Sequence, residues 1–365
     1  MPGEAGEQAV KLFYLYKYGV LGGCTTQLAN RLKFLREAAE PHFGFMGDYG
    51  GLSAFEGYRH TVVLPSVEAI RDYIAAGSFD AVLTIDTYEL YEALAGLAYD
   101  GTVIHEVHTT YEEPLSRLQA DWSSLPTRYV LTPSYYMKRY LEDIGIPSAH
   151  QVDNCLDTEL FRYETTGDSP VAARTGERLI LWVGKLDAHK NWQAFVQLAE
   201  RLRQERGDLC FVLAGGHTAP EEVKRQLLAR QRQLGEDTLV WLPSVDYRSM
   251  SRLYSETARS GGLYVSTTAN ESFGMTVLEA MACRCPVVAP AVGALPELLG
   301  DERSVGLYAG GDLDGCAAAI DRLLTDDALR RQVAVSGEKL ARERYSIASV
   351  GRSYMPLLAR LIDRH

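Results

Sequence analysis

Two glutamates eight positions apart are the residues in this chain best suited to chemistry. Glu271 and Glu279 lie in the segment NESFGMTVLEAMACRCPVVAP, at positions 270–290. Glu271 precedes a glycine-containing turn, and Glu279 lies within the helix that this turn is expected to open. Because a carboxylate accepts paired hydrogen bonds from a cis-diol, Glu279 suits a ribose and Glu271 suits a transferred hexose.

The residues between the two glutamates are expected to form the start of that helix. Backbone N–H groups at a helix N-terminus face anions, as they do where α/β proteins hold nucleotides. The residues that would supply them are Ser272, Phe273, Gly274, Met275 and Thr276. Glu279 follows in an apolar stretch, so its carboxylate is expected to have a partner, although two glutamates at this spacing can also be accidental.

Two further groups of candidate residues follow predicted strands, at the edge where open parallel sheets bind ligands. Lys185 and Lys190 flank a turn in GKLDAHKNW and can neutralise a diphosphate, although the pattern also fits two solvated loop lysines. His108 lies beyond the end of the strand in IHEVHTT, whereas His105 lies within it. Glu106 is a candidate partner that orients His108. The alternative for His108 is a structural role, since a lone histidine is more often structural than catalytic.

The first strand ends in YGVLGGCTTQL, which contains the glycine pair Gly22 and Gly23. Glycines at a strand-to-helix turn permit close approach to a ligand, but such a pair more often marks an ordinary turn. Thr25 and Thr26 are interpreted as N-caps of the next helix. The pattern G-x-G-x-x-G is absent after the first strand of either half, which counts against a nicotinamide-dependent oxidoreductase.

Strand-like apolar runs alternate with helical patterns along the chain, which predicts parallel sheets with right-handed crossovers. A chain of 365 residues is long enough for two such domains. A polar stretch without periodicity lies at the expected boundary, so the predicted domains are 1–168 and 169–346. The remaining residues, 347–365, contain a last helical pattern.

Composition and charge exclude several classes of function. The net charge of −11 argues against a primary role in binding nucleic acid or an anionic membrane surface. No apolar run is long enough for integral membrane association, and residues 1–10 lack the pattern of a secretory signal and are expected to be a frayed tail. The scattered cysteines favour a cytoplasmic protein. Cys283 and Cys285 are interpreted as core side chains, because a metal site would need two further ligands nearby in the sequence and none is present.

The spacing of Glu271 and Glu279 resembles the glutamate–seven–glutamate motif of retaining glycosyltransferases of family 4. These enzymes have the GT-B architecture, an α/β fold with two facing Rossmann-like domains and a C-terminal helix that crosses back to the first. The resemblance covers nearly the whole chain, with its strongest motifs in the second half. It implies a nucleotide-diphosphate sugar, most simply a UDP-sugar, as co-substrate of the second domain and an acceptor site on the first.

The resemblance also assigns roles to single residues. In the family a glycine pair after the first strand approaches the donor, which implies that role for Gly22 and Gly23. A histidine faces the transferred sugar, which implies His108 as a catalytic residue. Backbone groups near the end of a strand in the second domain recognise the base, and here they correspond to Val245.

The chain departs from the family pattern at three positions. The family has an arginine and a lysine five apart at the diphosphate, where this chain has Lys185 and Lys190, so the charge is kept but a bidentate contact is lost. Asn191 replaces the usual glycine, and Cys155 replaces a glycine in the segment 154–157, in which Asn154 and Asp157 are interpreted as structural. Glu271 completes the implied catalytic set.

The implied reaction is transfer of a hexose or amino-hexose with retention of configuration, without a metal ion or any other cofactor. The acceptor is expected to be a small polar molecule, such as an aminocyclitol or another natural product. Two expected loops, 44–58 and 111–124, are rich in aromatic and acidic residues that suit a cationic acceptor, although ordinary solvated acids fit as well. A non-catalytic sugar-nucleotide-binding protein is the alternative, and the sequence leaves the oligomeric state open.

Overall fold

A computed structural model of the chain contains two compact units. The described residues are 9–20, 22–127, 129–147 and 149–362. The first unit runs to Cys155 and resumes at Ile347, and the second is Leu156–Ser346. The division thus falls earlier in the chain than residue 168, because Leu156 and Phe161 are fully buried in the core of the second unit. The expected frayed tail lies, except for its last two residues, outside the described residues.

The first unit is built on a parallel sheet. Its strands in the described residues are β1 (Val10–Gly19), β2 (Ala39–Asp48), β3 (Thr61–Val63), β4 (Ala81–Ile85), β5 (Thr102–Glu106), β6 (Tyr129–Thr132) and β7 (Ala149–Gln151). They lie in the order β3-β2-β1-β4-β5-β6-β7, and each neighbouring pair is parallel. The strand order reverses between β1 and β4, so the carboxyl ends of these strands and of β5 border the edge where such sheets bind ligands.

Helices flank this sheet, and one of them lies where the sequence predicts a loop. They are α1 (Gly23–Leu35), α2 (Val67–Gly77), α3 (Glu89–Leu94), α4 (Glu112–Asp121) and α5 (Tyr135–Asp143). The expected loop 111–124 is wrong, because it contains α4, whose first turn carries Glu112 and Glu113. Acidic residues there stabilise the positive end of the helix dipole, which explains them without a ligand.

Strand β2 also replaces part of an expected loop. Residues 44–48 complete β2, and a 3₁₀ helix follows at Gly51–Phe55, so the loop predicted over 44–58 is wrong in its first half. Pro41, Gly44 and Gly47 interrupt the apolar pattern by which a strand is recognised. Pairing with β1 on one side and β3 on the other forms the strand regardless.

The second unit repeats this architecture with a second parallel sheet. Its strands in the described residues are β8 (Arg178–Val183), β9 (Leu209–Ala214), β10 (Leu239–Leu242), β11 (Leu263–Val265), β12 (Val287–Pro290) and β13 (Leu307–Tyr308). They lie in the order β10-β9-β8-β11-β12-β13, again with all neighbours parallel. The order reverses between β8 and β11, so the loops after these two strands lie at the ligand-binding edge.

Helices flank this second sheet and bury two apolar clusters against it. They are α6 (Trp192–Glu205), α7 (Glu221–Leu234), α8 (Met250–Arg259), α9 (Met275–Ala282), α10 (Leu295–Leu298), α11 (Leu313–Thr325) and α12 (Asp327–Arg344). Cys283 and Cys285 are buried between α9 and β12 as free thiols, which confirms that they are core side chains. Within the described residues, no helix has the length and apolar character to span a bilayer.

The last helix, α13 (Ile347–Ile362), belongs to the first unit, which confirms the predicted return of the chain. It packs on α1, where the rings of Phe34 and Tyr354 are 5.8 Å apart. Gly351 permits this approach, because a Cβ at that position would lie 3.0 Å from the Phe34 ring. Helix α13 thereby carries Tyr354 into the core of the first unit.

Candidate active site

The loop after β8 carries both candidate lysines and is organised by one aspartate. Asp187 Oδ1 accepts a hydrogen bond from the Lys190 N–H at 2.8 Å, and its carbonyl accepts from the Asn191 N–H at 3.1 Å. Asn191 has a φ of 51°, in the left-handed region that glycine adopts readily and asparagine tolerates. Asparagine is therefore compatible with the turn that glycine usually makes here. Lys185 lies exposed on the same loop.

An ion pair joins this loop to the glutamate motif. Lys190 Nζ contacts Glu271 Oε1, and the two side chains are only 27% and 13% exposed. Thr267, just after β11, can donate its hydroxyl to the carbonyl of Lys190 at 3.1 Å or of Asn191 at 2.8 Å. Trp182 Nε1 donates to the same hydroxyl at 3.0 Å. The lysine loop is thus attached to the segment that leads to Glu271, and these hydrogen bonds hold the ion pair in place.

The backbone of Glu271 is held from the other side by a glycine turn. The Ala294 N–H donates to the Glu271 carbonyl at 2.9 Å, and the Glu271 N–H donates to Asn270 Oδ1 at 2.9 Å. Gly293, with a φ of 55°, lies so close that a Cβ there would be 2.2 Å from the Glu271 carbonyl oxygen. Glycine is needed at 293 because any side chain would displace Glu271.

Helix α9 begins directly after this glutamate. Gly274 precedes it as the N-cap residue, with a φ of 103°, and has no side chain that could cap the first N–H groups. The first turn contains no acidic residue. Phe273 is buried in the core and Thr276 Oγ1 lies 2.9 Å from the Tyr264 hydroxyl, so the turn is anchored on both sides. A helix start of this kind, fixed in place and with glycine as its N-cap, can bind an anionic ligand.

Glu279 lies in the middle of α9 and is 7% exposed. Its Oε2 accepts a hydrogen bond from the Tyr254 hydroxyl of α8 at 3.1 Å, so the partner that the sequence requires is present. Burial raises the pKa of Glu279 to about 8, because the hydrogen bond from Tyr254 offsets only part of the desolvation of the charged form. A ligand that donates two hydroxyl groups would favour the ionised carboxylate.

Stability is expected to fall with rising pH because of Glu279. Its pKa in the folded chain, about 8, lies above the usual value of 4.5, so between these pH values the folded state holds the extra proton. The resulting slope approaches about 1.4 kcal/mol per pH unit within that window. A Glu279→Gln variant keeps the shape without the titration, so its stability relative to the wild type should increase from pH 5.5 to pH 8. Urea unfolding at four pH values measures this, and a constant difference would contradict it.

The remaining donor-side candidate lies after another strand of the same sheet. Val245 is half-buried against the second unit's core, between the end of β10 and a 3₁₀ helix at Tyr247–Ser249. Nearby, Gly215 has a φ of 115°, and a Cβ there would lie 2.3 Å from the Gly184 carbonyl oxygen. The segments that follow β8 and β9 therefore approach each other as backbone. The structure brings Lys190 and Glu271 into direct contact, places Lys185 on the same loop as Lys190, and places Val245 in another loop of this edge.

In the first unit, His108 belongs to a buried charged network at the end of β5. Its Nε2 lies 3.0 Å from Glu106 Oε2, so Glu106 is in position to orient the ring. Arg31 of α1 donates from Nη1 to Glu106 Oε1 at 2.8 Å and Oε2 at 2.7 Å. Burial alone would raise the pKa of Glu106, but the charge of Arg31 and the contact with His108 outweigh it and hold that pKa at about 2. The carboxylate beside His108 is therefore ionised at neutral pH.

Two tyrosines complete this network. Tyr354 of α13 lies 2.8 Å from Tyr14 of β1, hydroxyl to hydroxyl, and its hydroxyl is 3.5 Å from Glu106 Oε1. The Arg31 guanidinium lies over the Tyr354 ring, 4.9 Å from its centre. The returning C-terminal helix thus helps to position the residues that support His108.

Asp86 is an acidic residue of this edge that the sequence interpretation missed. It follows β4 directly, with a φ of 43°, and its Oδ2 accepts from the His108 N–H at 3.0 Å. Burial raises the pKa of Asp86 to about 6, although the charge of His108 opposes this. The signal was available, since Asp86 ends the buried run AVLTI and thereby meets the same strand-end criterion as His108.

The glycine pair after β1 lies at the start of α1. Gly22 is the N-cap in an extended conformation, and a Cβ on Gly23 would meet nothing within 4 Å. The packing of the chain itself therefore does not require glycine here. Thr25 and Thr26 are not N-caps, which corrects the sequence interpretation, because their hydroxyls donate back to the carbonyls of Tyr18 and Gly22.

Comparison with known proteins finds sequence similarity over parts of the chain. Residues 167–340 match the profile of the family described as glycosyl transferases group 1. The D-inositol 3-phosphate glycosyltransferase of Xylanimonas cellulosilytica is 29% identical over 224 residues, or 59% of this chain and 52% of that protein. The alpha-D-kanosaminyltransferase of Streptomyces kanamyceticus is 26% identical over 173 residues, or 47% of this chain and 43% of that protein. The matches thus span about half of each curated relative.

The fold as a whole matches a solved structure. HepE of Anabaena, in complex with UDP and glucose, has a TM-score of 0.81 at 16% identity, covering 96% of this chain and 100% of that one. The architecture is therefore that of the GT-B glycosyltransferases. The match to the glycosyl transferases group 1, over residues 167–340, lies within the second unit.

Proposed function

We propose that this chain is a retaining glycosyltransferase that moves a hexose or amino-hexose from a nucleotide-diphosphate sugar, most simply a UDP-sugar, to a hydroxyl of a small polar acceptor. The observation that carries the proposal is the arrangement around α9. The Lys190–Glu271 ion pair lies directly before a helix start with glycine as its N-cap, and the same helix holds the buried carboxyl of Glu279. A cation, a helix N-terminus and two carboxyl groups match a diphosphate and two sugars.

In the proposed reaction the second unit stabilises the leaving group. The bond between the anomeric carbon and the diphosphate oxygen breaks as the acceptor oxygen bonds to the same face of that carbon. The acceptor proton passes to the departing diphosphate. Lys190, Lys185 and the N–H groups of Met275 and Thr276 would bind the charge that develops on the diphosphate, so the reaction is proposed to need no metal ion. Glu271 would hold hydroxyls of the transferred sugar.

The acceptor is proposed to bind the first unit, near the carboxyl ends of its strands. His108 and Asp86 lie at that edge, and Glu106 fixes the His108 ring. Two relatives support these proposals. One is named for inositol 3-phosphate, which is a small polar molecule. The other is named for transfer of kanosamine, which is an amino sugar. We include aminocyclitols and related natural products in the proposed acceptor class.

Calorimetric titration with UDP, GDP, ADP and NAD tests the donor assignment. One nucleoside diphosphate should bind, and Glu279→Ala should weaken its binding about 10- to 100-fold, because the ribose hydroxyls lose the carboxylate that accepts their two hydrogen bonds. Binding should also release protons near pH 7, since ribose hydroxyls favour the ionised form of Glu279. Glu222→Ala, on the exposed face of α7, is the matched control. Binding of NAD alone, or equal binding by Glu279→Ala, would refute the assignment.

Transfer itself is a separate measurement. Donor that binds but is never consumed, across a panel of inositols, aminocyclitols and amino sugars, would favour the non-catalytic sugar-nucleotide-binding alternative. Consumption only in the presence of one acceptor would identify the acceptor class. The configuration of the product then decides between retention and inversion.

A further inference from the structure

Three side chains of types that bind metal ions lie together in the first unit. They are at the edge of its sheet that is opposite the edge with His108. Glu40 and His42 are two residues apart near the start of β2 and so project from the same face. His60 immediately precedes β3, and its carbonyl accepts from the Phe43 N–H at 2.8 Å. One possible ligand atom from each of Glu40, His42 and His60 lies within 4.8 Å of the other two.

The surroundings of His42 resemble those of a metal-bound histidine. Its Nδ1 lies 2.7 Å from the Tyr73 hydroxyl, and its Nε2 lies 2.9 Å from Glu40 Oε1. Metal-ligating histidines usually donate their second ring N–H to a fixed oxygen, which sets the tautomer. If the Nδ1–H of His42 donates to Tyr73, the lone pair of His42 Nε2 faces a lone pair of the Glu40 carboxylate. These lone pairs repel each other, and a cation between them would remove the repulsion. The ring of His60 is 4.2 Å away, and the His42 side chain is 11% exposed.

From this geometry we propose that Glu40, His42 and His60 bind a divalent transition metal, with Zn²⁺ as the first candidate. Two imidazole nitrogens and one carboxylate oxygen are ligands that Zn²⁺ accepts in a tetrahedral site, with water as the fourth. The bound ion would attach the segment before the short edge strand β3 to β2. The site lies at the opposite edge of the sheet from His108, so the proposal is independent of the proposed transfer reaction.

Two cationic side chains contact the proposed metal ligands and would compete with a metal ion for them. Arg59 is exposed, and its Nε donates to His60 Nε2 at 2.8 Å. Lys11 Nζ lies 3.8 Å from Glu40 Oε1. A metal ion that binds His60 through Nε2 must displace the Arg59 guanidinium, so Arg59→Met should tighten metal binding. This increase in affinity distinguishes the proposed site from nonspecific binding to surface histidines.

The test is titration of the untagged, chelator-treated chain with Zn²⁺ and with Co²⁺, followed by calorimetry and by the absorption of tetrahedral Co²⁺. One equivalent should bind, and His42→Gln and His60→Gln should each weaken binding more than about 10-fold. Tyr73→Phe leaves the three ligands in place and should weaken binding about 10-fold. His217→Gln, an exposed histidine of the second unit, is the control and should bind as the wild type does.

Several outcomes would overturn the proposal. They include no Zn²⁺ binding by the folded wild type at millimolar concentration, and equal binding by the wild type and His60→Gln. Weaker binding by Arg59→Met would also overturn it, because removal of a competing cation can only help a metal at this position. In those cases His42 Nε2–H donates to Glu40 and a shared proton, not a metal, holds the cluster.

Discussion

Replacement of Lys190 by methionine is expected to lower kcat/KM for sugar transfer by about 10²- to 10³-fold, the loss typical when one group that stabilises transition-state charge is removed. Methionine keeps the apolar stem and removes the ammonium that contacts Glu271. The departing diphosphate would then lose a cation positioned at the start of α9. Steady-state kinetics with the donor identified by titration measures the effect.

Lys190 and Glu271 can be distinguished although they form one pair. Lys190→Met should weaken binding of UDP, because the lysine is assigned to the diphosphate. Glu271→Gln should leave UDP binding unchanged and lower transfer, since UDP lacks the sugar that Glu271 is proposed to hold. Lys224→Met, on an exposed helix of the same unit, is the matched control and should change neither quantity. Unaltered transfer by Lys190→Met would refute its assignment to the leaving group.

The glutamate motif and its helix could be predicted because their signals are local. Glu279 is surrounded by apolar neighbours in sequence, and this pattern fixes both the helix and the burial of the carboxyl group. The turn at Asn191 is local too, since its φ of 51° depends on residues within one loop. The alternation of strands and helices predicted parallel sheets and, with them, the carboxyl edge that holds the site.

The partners of these residues could not be predicted, because they are set by packing between distant elements. Glu271 meets Lys190 across 81 positions, and Glu106 meets Arg31 across 75. Tyr354 reaches Glu106 across 248 positions, through a helix whose return no periodicity reveals. Strand β2 was missed for a related reason, since its pairing on both sides overrides the weak strand propensity of its glycines and proline.

The buried network beneath His108 shows how stability and the proposed chemistry are coupled. Arg31 is 1% exposed and Glu106 is fully buried, so neither charge is hydrated and each depends on the other. His108 lies against the same carboxylate. A substitution that removes the ion-pair partner of Glu106 would therefore lower the free energy of unfolding of the first unit and would also alter the orientation of His108.

Replacement of Arg31 by methionine is expected to destabilise the first unit by about 3–5 kcal/mol, the cost of leaving one member of a buried ion pair uncompensated. The carboxylate of Glu106 would lose both hydrogen bonds from the guanidinium. Its pKa should then rise, since burial raises it and the opposing charge is gone. The loss of stability should accordingly be smaller at pH 5 than at pH 8, because protonation removes the unpaired charge. Urea unfolding of the full chain, with a probe in the first unit, measures this.

Removal of both charges provides the decisive comparison for that prediction. Arg31→Met with Glu106→Gln leaves no buried charge, so it should recover much of the stability lost by Arg31→Met alone and show no corresponding dependence on pH. Arg201→Met breaks an exposed ion pair with Asp314 and should leave the unfolding transition unchanged. If the double variant is less stable than Arg31→Met alone, the Glu106 carboxylate stabilises the first unit through His108 and Tyr354 without Arg31, and the prediction of an uncompensated charge is wrong.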